Sequence, residues 1–291
     1  MKTSMQLKAK TRNLSAASGI PPHIIQRNYF LERFLERLSL SQYKSSIVLK
    51  GGVLITSILG IEARSTMDLD ATMRARALSL EDISDSVLAI VGEILQTPID
   101  DGVAFTVIGA EETRVEAEYP GCRVTLSVAL DKLRDTVKID FTAGDVITPS
   151  PIEYGYKLMF EDREISVLAY NLETVLAEKF IAVLSFDVIN SRMKDFYDIH
   201  MLIAGHGGSV NPDVFAEAIN NTAAQRQMLR LVSQAEQIVD TIAGNQATAD
   251  LWKRYRAVYP YAADIEFDDV IRPLHKLIEW VKQGESGRMM L

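Results

Sequence analysis

The chain has 291 residues, 47% of them hydrophobic, and a formal charge of −8, enough apolar material for one large domain or two of ordinary size. That acidity argues against a protein that coats nucleic acid by bulk electrostatics, although local patches still count where a specific RNA end is bound. Charge or glycine interrupts the apolar runs before the roughly 18 residues that a membrane span needs, and Met1 to Gln6 carry no export signal, so no membrane contact and a cytoplasmic address are expected. Cys122 is the single cysteine, and His23, His200, His206 and His275 are scattered without helical i, i+4 pairing. Neither a disulfide framework nor a thiolate or zinc site is expected. Lys2, Lys8, Lys10, Arg12, Arg27, Arg33 and Arg37 give the start of the chain a basic bias, readable as a docking face or as an ordinary solvated helix face.

Ser18-Gly19-Ile20-Pro21-Pro22 reads as a turn and helix start, after which Ile24, Ile25, Phe30, Leu31, Phe34, Leu35 and Leu38 recur at helical spacing to Leu40. Ser46-Ile47-Val48-Leu49 predicts a short buried strand, broken by Gly51-Gly52, and Val53 to Leu59 the helix that follows. Lys50-Gly51-Gly52 lacks the spacing of a P-loop. Glycines at a strand-to-helix turn still let backbone N–H groups and a helix N-terminus approach an anion, with Lys50 alongside as a point charge. The competing reading is a tight turn and nothing more.

The next stretch, Arg64-Ser65-Thr66-Met67-Asp68-Leu69-Asp70, carries the chemistry. Strand side chains alternate, so Asp68 and Asp70 share one face with Leu69 on the other. Like charges held on one face repel, and a hard divalent cation such as Mg²⁺ relieves the repulsion. Ser65 and Thr66 add hydroxyls upstream. A surface strand with solvated acids is the plainer alternative.

An amphipathic helix is predicted from Leu80 to Leu95, then three strands at 103–108, 123–128 and 136–141, which the intervening turns make antiparallel neighbours. In the third, Lys138 and Asp140 share a face opposite Val137, Ile139 and Phe141. Asp140 is the candidate third carboxylate: with Asp68 and Asp70 it could hold two Mg²⁺ ions about 3.5–4 Å apart for in-line displacement at phosphorus. Alternatively, Asp140 pairs with a Lys or Arg on a neighbouring strand.

Gly155 to Val167 reads as a hairpin, and Asn171 as the cap of a helix from Leu172 to Phe186 flanked by Glu173, Glu178 and Lys179. Arg192 to Ile199 is dense in helical ion-pair spacings, with Asp195 placed at the edge of a buried face where a lysine could be held. After Gly205-His206-Gly207-Gly208 the composition shifts, and helices are predicted at 213–223, 226–243, 248–258 and 267–283. The expected organisation is a core over 1–206, with a helical N-terminal segment, and a helical C-terminal subdomain over 207–291. Trp252-Lys253-Arg254-Tyr255-Arg256 could stack nucleotide bases, or could be a helix half in the core and half in solvent.

Taken in order, Leu49-Lys50-Gly51-Gly52 with Arg64 to Asp70, Lys138-Ile139-Asp140, and Leu176-Ala177-Glu178-Lys179 with Arg192 to Ile199 resemble the AbiEii/MenT-like nucleotidyltransferase toxins of the DNA polymerase β-like superfamily. The similarity spans about Gly19 to Leu202. It implies an α+β fold with a mixed, antiparallel-leaning sheet, two Mg²⁺ ions, a nucleoside triphosphate (NTP) donor, a tRNA 3′ end as acceptor and a cognate antitoxin. It also implies that Asp68, Asp70 and Asp140 hold metal, that Ser65 and Lys179 touch the triphosphate, that Asp195 orients Lys179 or serves as a base, and that Lys50, Gly51, Gly52 and Thr66 belong to the nucleotide site. The superfamily's Gly-Ser pair is Gly51-Gly52 here, with the serine displaced to Ser65. A small-molecule or protein acceptor, or an inactive nucleotide-binding regulator, are the other functional readings.

Overall fold

In a computed structural model, which describes residues 1–74, 83–113 and 121–288, the strands β1 (Ile47–Lys50), β2 (Asp68–Met73), β3 (Val103–Thr113), β4 (Gly121–Leu130), β5 (Leu133–Ala143), β6 (Ile152–Lys157) and β7 (Glu164–Ala169) form one mixed sheet. Its order is β3-β4-β5-β2-β1-β7-β6. The predicted antiparallel run of β3, β4 and β5 is present, each strand longer than expected. β2 lies between β5, to which it is parallel, and β1, to which it is antiparallel.

Alternation decides what each face does. Along β4, Cys122, Val124, Leu126, Val128 and Leu130 are buried, as are Val137, Ile139 and Phe141 on β5 and Leu69 and Ala71 on β2. The other face carries Arg123 and Thr125 of β4, Lys138 and Asp140 of β5, and Asp68 and Asp70 of β2. A one-residue slip would exchange the two sets, at about 1.5–3 kcal/mol for each large apolar side chain turned out. The core therefore fixes the register that sets Asp70 beside Asp140 and Asp140 beside Arg123.

The helices α1 (Ser4–Ser18), α2 (Pro22–Leu40), α3 (Gly51–Leu59) and α4 (Ile83–Leu95) belong with this sheet. α2 begins where Pro22 predicts, proline being suited to a first helical position, and packs on β5 and β7 while α4 packs on β3 and β4. The expected start of α4 at Leu80 lies outside the described residues. Of the basic residues at the start of the chain, Lys2, Lys8, Lys10 and Arg12 are exposed, whereas Arg33 and Arg37, at 1% and 4% exposed, do not join such a face. Arg37 forks on Asp101, Arg33 meets Glu161, and Arg27 meets Asp135.

Contacts divide the chain into two compact units, Met1–Asp145 with Ile152–Ala169, and Val146–Pro151 with Tyr170–Leu291. The division falls earlier than the compositional shift at 206/207, because α5 (Leu172–Phe186) and α6 (Met193–His206) pack on later helices: α5 on α7 (Pro212–Gln225), and α6 on α11 (Phe267–Arg288). Asn171 caps α5 as expected, accepting from the Thr174 N–H at 2.8 Å. The single helix expected over 226–243 is instead α8 (Leu229–Ser233) and α9 (Ala235–Ala243), after a turn in which Gln227 takes φ 57°. On α10 (Gln246–Val258), Trp252 is 1% exposed and its indole N–H donates to the Ile265 carbonyl. Arg256 is engaged by Ala263 and Glu266. The base-stacking reading of this segment gives way to the half-core helix. Among the described residues no helix is long and apolar enough to cross a membrane.

Candidate active site

The face of β2 presents Asp68 and Asp70, both half-buried, at the step where the chain turns from β1 into α3. Gly51 makes that turn with φ +60°, a conformation open to glycine. A Cβ on it would lie 2.2 Å from Asp70 Oδ2. A Cβ on Gly52 would lie 2.5 Å from Thr66 Oγ1 and 2.8 Å from an Arg64 guanidinium nitrogen. Backbone, carboxylate and hydroxyl thus meet at a distance no side chain could share. The Gly52 N–H donates to Asp70 Oδ2 at 3.1 Å, so the positive end of α3 faces the acid. Buried Arg64 braces the turn by donating to the Gly52 carbonyl at 2.7 Å. Asn28 of α2 donates to the Thr66 carbonyl at 2.7 Å and ties down the loop that holds Ser65 and Thr66.

Burial pushes the Asp68 carboxyl pKa up, the charge of Asp140 adds to the rise, Arg123 offsets part of it, and Asp70 contributes a smaller rise. Two carboxylates held in this way suit a divalent ion whose remaining ligands come from substrate phosphates and water. Asp140 does not join them as expected. Arg123 donates to both of its oxygens, Nε to Oδ1 at 2.6 Å and Nη2 to Oδ2 at 2.8 Å. Among the described residues no group of three or more His, Cys, Asp and Glu side chains is arranged to hold a metal. In this structure Asp140 is engaged by a cross-strand arginine, the alternative reading of it, and the three carboxylates are not gathered into one group.

Lys50 lies opposite Asp70 in register, but its ammonium is 2.5 Å from Asp145 Oδ2 in a buried ion pair. Burial alone would raise the Asp145 carboxyl; the Lys50 charge and hydrogen bonds from Lys50, Thr142 and Thr72 outweigh it and hold the group at about 2. Lys50 thus anchors the end of β5 beneath the turn.

In the other unit, Lys179 of α5 reaches two carboxylates of α6, Asp195 Oδ1 and Asp198 Oδ2, each at 2.7 Å. Arg192 Nε lies 2.9 Å from Asp195 Oδ2. Asp195 is thus held between two cations, an arrangement that fits the orienting role. The sequence reading anticipated a lysine held near Asp195. It passed over Asp198, Arg64, Asp145 and Arg123; Asp198 follows Asp195 at i+3 on the same helix face, the one spacing that signals it.

The family model described as nucleotidyl transferase AbiEii toxin, type IV toxin–antitoxin system, matches residues 33–273. The chain belongs to the AbiEii nucleotidyltransferase toxin family. This AbiEii protein is a nucleotidyltransferase toxin of a type IV toxin–antitoxin system. No curated protein matches it by sequence. Among solved structures it is similar to MenT4, a nucleotidyltransferase toxin of Mycobacterium tuberculosis H37Rv, at 16% identity and a TM-score of 0.55, over 93% of this chain and 98% of that one. It is also similar to JHP933 from Helicobacter pylori, at 13% identity and a TM-score of 0.51, over 93% and 97% of the respective chains. At such identities the likeness speaks for the fold: the mixed seven-stranded sheet with a C-terminal helical region is that of these proteins.

Proposed function

We propose that this AbiEii protein transfers a nucleotidyl group from an NTP to the 3′-terminal hydroxyl of a tRNA, in the cytoplasm, and that a cognate antitoxin restrains it. The observation that carries the reading is the glycine turn pressed against Asp70, because nothing in the packing of a plain strand-to-helix turn calls for a half-buried carboxylate at its backbone. In the reaction the acceptor oxygen bonds to the α-phosphorus, the bond from that phosphorus to the bridging oxygen breaks, pyrophosphate leaves, and the hydroxyl proton passes to solvent.

Asp68 and Asp70 would hold a divalent ion, which when bound supplies charge neutralisation at phosphorus and a lowered pKa for the acceptor hydroxyl. The first N–H groups of α3 offer a phosphate a helix N-terminus, with the hydroxyls of Thr66 and Ser65 nearby in sequence. Lys179, held in one orientation by Asp195 and Asp198, is assigned to the triphosphate on the family resemblance, and Lys50 is assigned to positioning the turn. The two-ion arrangement expected from the sequence requires Asp140 to leave Arg123.

Incubating the protein with each α-labelled NTP, Mg²⁺ and total tRNA tests this reading. Label on RNA, lost in Asp68→Asn, is the expected result; label on a protein or small molecule would move the acceptor, and no label on anything would contradict the proposal. Growth arrest on expression, relieved by co-expression of the neighbouring gene, tests the antitoxin.

A further inference from the structure

We infer that this chain carries one divalent ion and that the guanidinium of Arg123 takes the place of a second, an inference that rests on the transferase reading above. The fork between Arg123 and Asp140 is built into the sheet. Both residues lie on the same face in direct cross-strand register, and the antiparallel ladder from Gly121↔Thr142 to Leu130↔Leu133 fixes that register along its whole length. Both carboxylate oxygens accept a charge-assisted bond, at 2.6 and 2.8 Å, and the two side chains are 32% and 22% exposed. Glu111 of β3 lies 3.9 Å from the same guanidinium, a second acid on the side away from β5.

A planar, bidentate pair of this kind is stronger than an ordinary surface ion pair. Mg²⁺ needs the carboxylate lone pairs at about 2.0–2.1 Å in near-octahedral geometry and gives up water reluctantly. It would have to break both bonds to reach Asp140. Arginine cannot lose its proton, so this charge is permanent where a second ion would exchange. Asp68 and Asp70 are left as the pair open to a cation. Arg123 is then a positioning residue: it fixes Asp140 and supplies positive charge to the acidic face without itself being a metal ligand.

Counting bound Mn²⁺ by the electron paramagnetic resonance signal of the free ion tests this on the full chain, without reference to activity. The wild-type protein is expected to bind one Mn²⁺, and Arg123→Gln, which frees Asp140, to bind two. Arg123→Lys keeps a cation beside Asp140 and is expected to return the count to one; circular dichroism of each variant confirms that it is folded. Two ions on the wild type would overturn the inference while leaving the transferase reading in place. A single ion on folded Arg123→Gln would overturn it equally. No ion on the wild type would remove the metal reading of Asp68 and Asp70 and this inference together.

Discussion

Charge is taken out of water at two places in the first unit, and the two are treated in opposite ways. On α2 the buried charges are matched: Arg37 donates to Asp101 at 2.8 and 3.0 Å, and Arg33 to Glu161 at 2.8 Å. Burial pushes the Glu32 carboxyl up to about 8 against the partial relief of Arg33, so its charged form is the one the fold disfavours. On β2 the acids are left short of cations. Among the described residues the Asp70 carboxylate accepts only the Gly52 N–H, and burial and the neighbouring Asp140 disfavour the charged form of Asp68. The first arrangement is what a fold does with charge for its own sake, since an unpaired buried ion costs several kcal/mol. The second keeps a repulsion that serves the fold nothing and leaves room for a ligand.

That contrast is open to direct attack. Asp68→Asn and Asp70→Asn should each lower transfer by at least about a thousand-fold, some 4 kcal/mol of barrier, while the melting temperature of Asp68→Asn holds or rises because a disfavoured charge is gone. A drop in stability with activity retained would show these acids to be structural. Arg37→Ala should do the reverse on the α2 side: Asp101 is left buried and unpaired, at a cost of about 3–5 kcal/mol, read as a fall in the denaturant midpoint. Gly51→Ala should cost about 1–3 kcal/mol for a non-glycine residue at positive φ. Its Cβ must also displace the Asp70 carboxylate, so transfer should fall well beyond what the stability loss explains.

The pH dependence sharpens the comparison with two opposite signs. The Asp145 carboxyl lies below its unfolded value of 3.8, at about 2, so the stability it contributes is complete above 3.8 and is lost as the pH falls towards 2. Asp145→Asn should forfeit about 2 kcal/mol at neutral pH and flatten that acid limb. Glu32 lies above its unfolded value of 4.5, at about 8. There the folded state holds the extra proton, and stability declines as the pH rises between the two values. Glu32→Gln should remove this slope, as melting temperatures across pH 4 to 9 would show.

Much of this could be read from the residues in order. The alternation of Asp68, Leu69 and Asp70 placed both acids on one face because strand periodicity leaves no other choice, and glycine followed by an apolar run marked the turn into α3. What escaped is long-range partnership. The burial of Arg33 and Arg37 depends on Glu161 and Asp101, far away in the chain, so a basic run looked like a solvated face. Trp252 turned inward because the Ile265 carbonyl accepts its indole N–H. Arg123 was closer to legible. A two-residue connection at Asp131-Lys132, where Asp131 takes φ 53°, pairs Leu130 with Leu133, and counting back along the hairpin brings Arg123 opposite Asp140. With only the strand pattern in hand, and no turn fixed, that register could not be counted.

The account stands or falls on what the β2 face binds. A crystal of the protein soaked with Mn²⁺ and a non-hydrolysable NTP, measured at the manganese absorption edge, should show one anomalous peak within about 2.2 Å of oxygens from both Asp68 and Asp70, with the Arg123 fork on Asp140 unbroken. An empty β2 face beside a nucleotide bound elsewhere would contradict it.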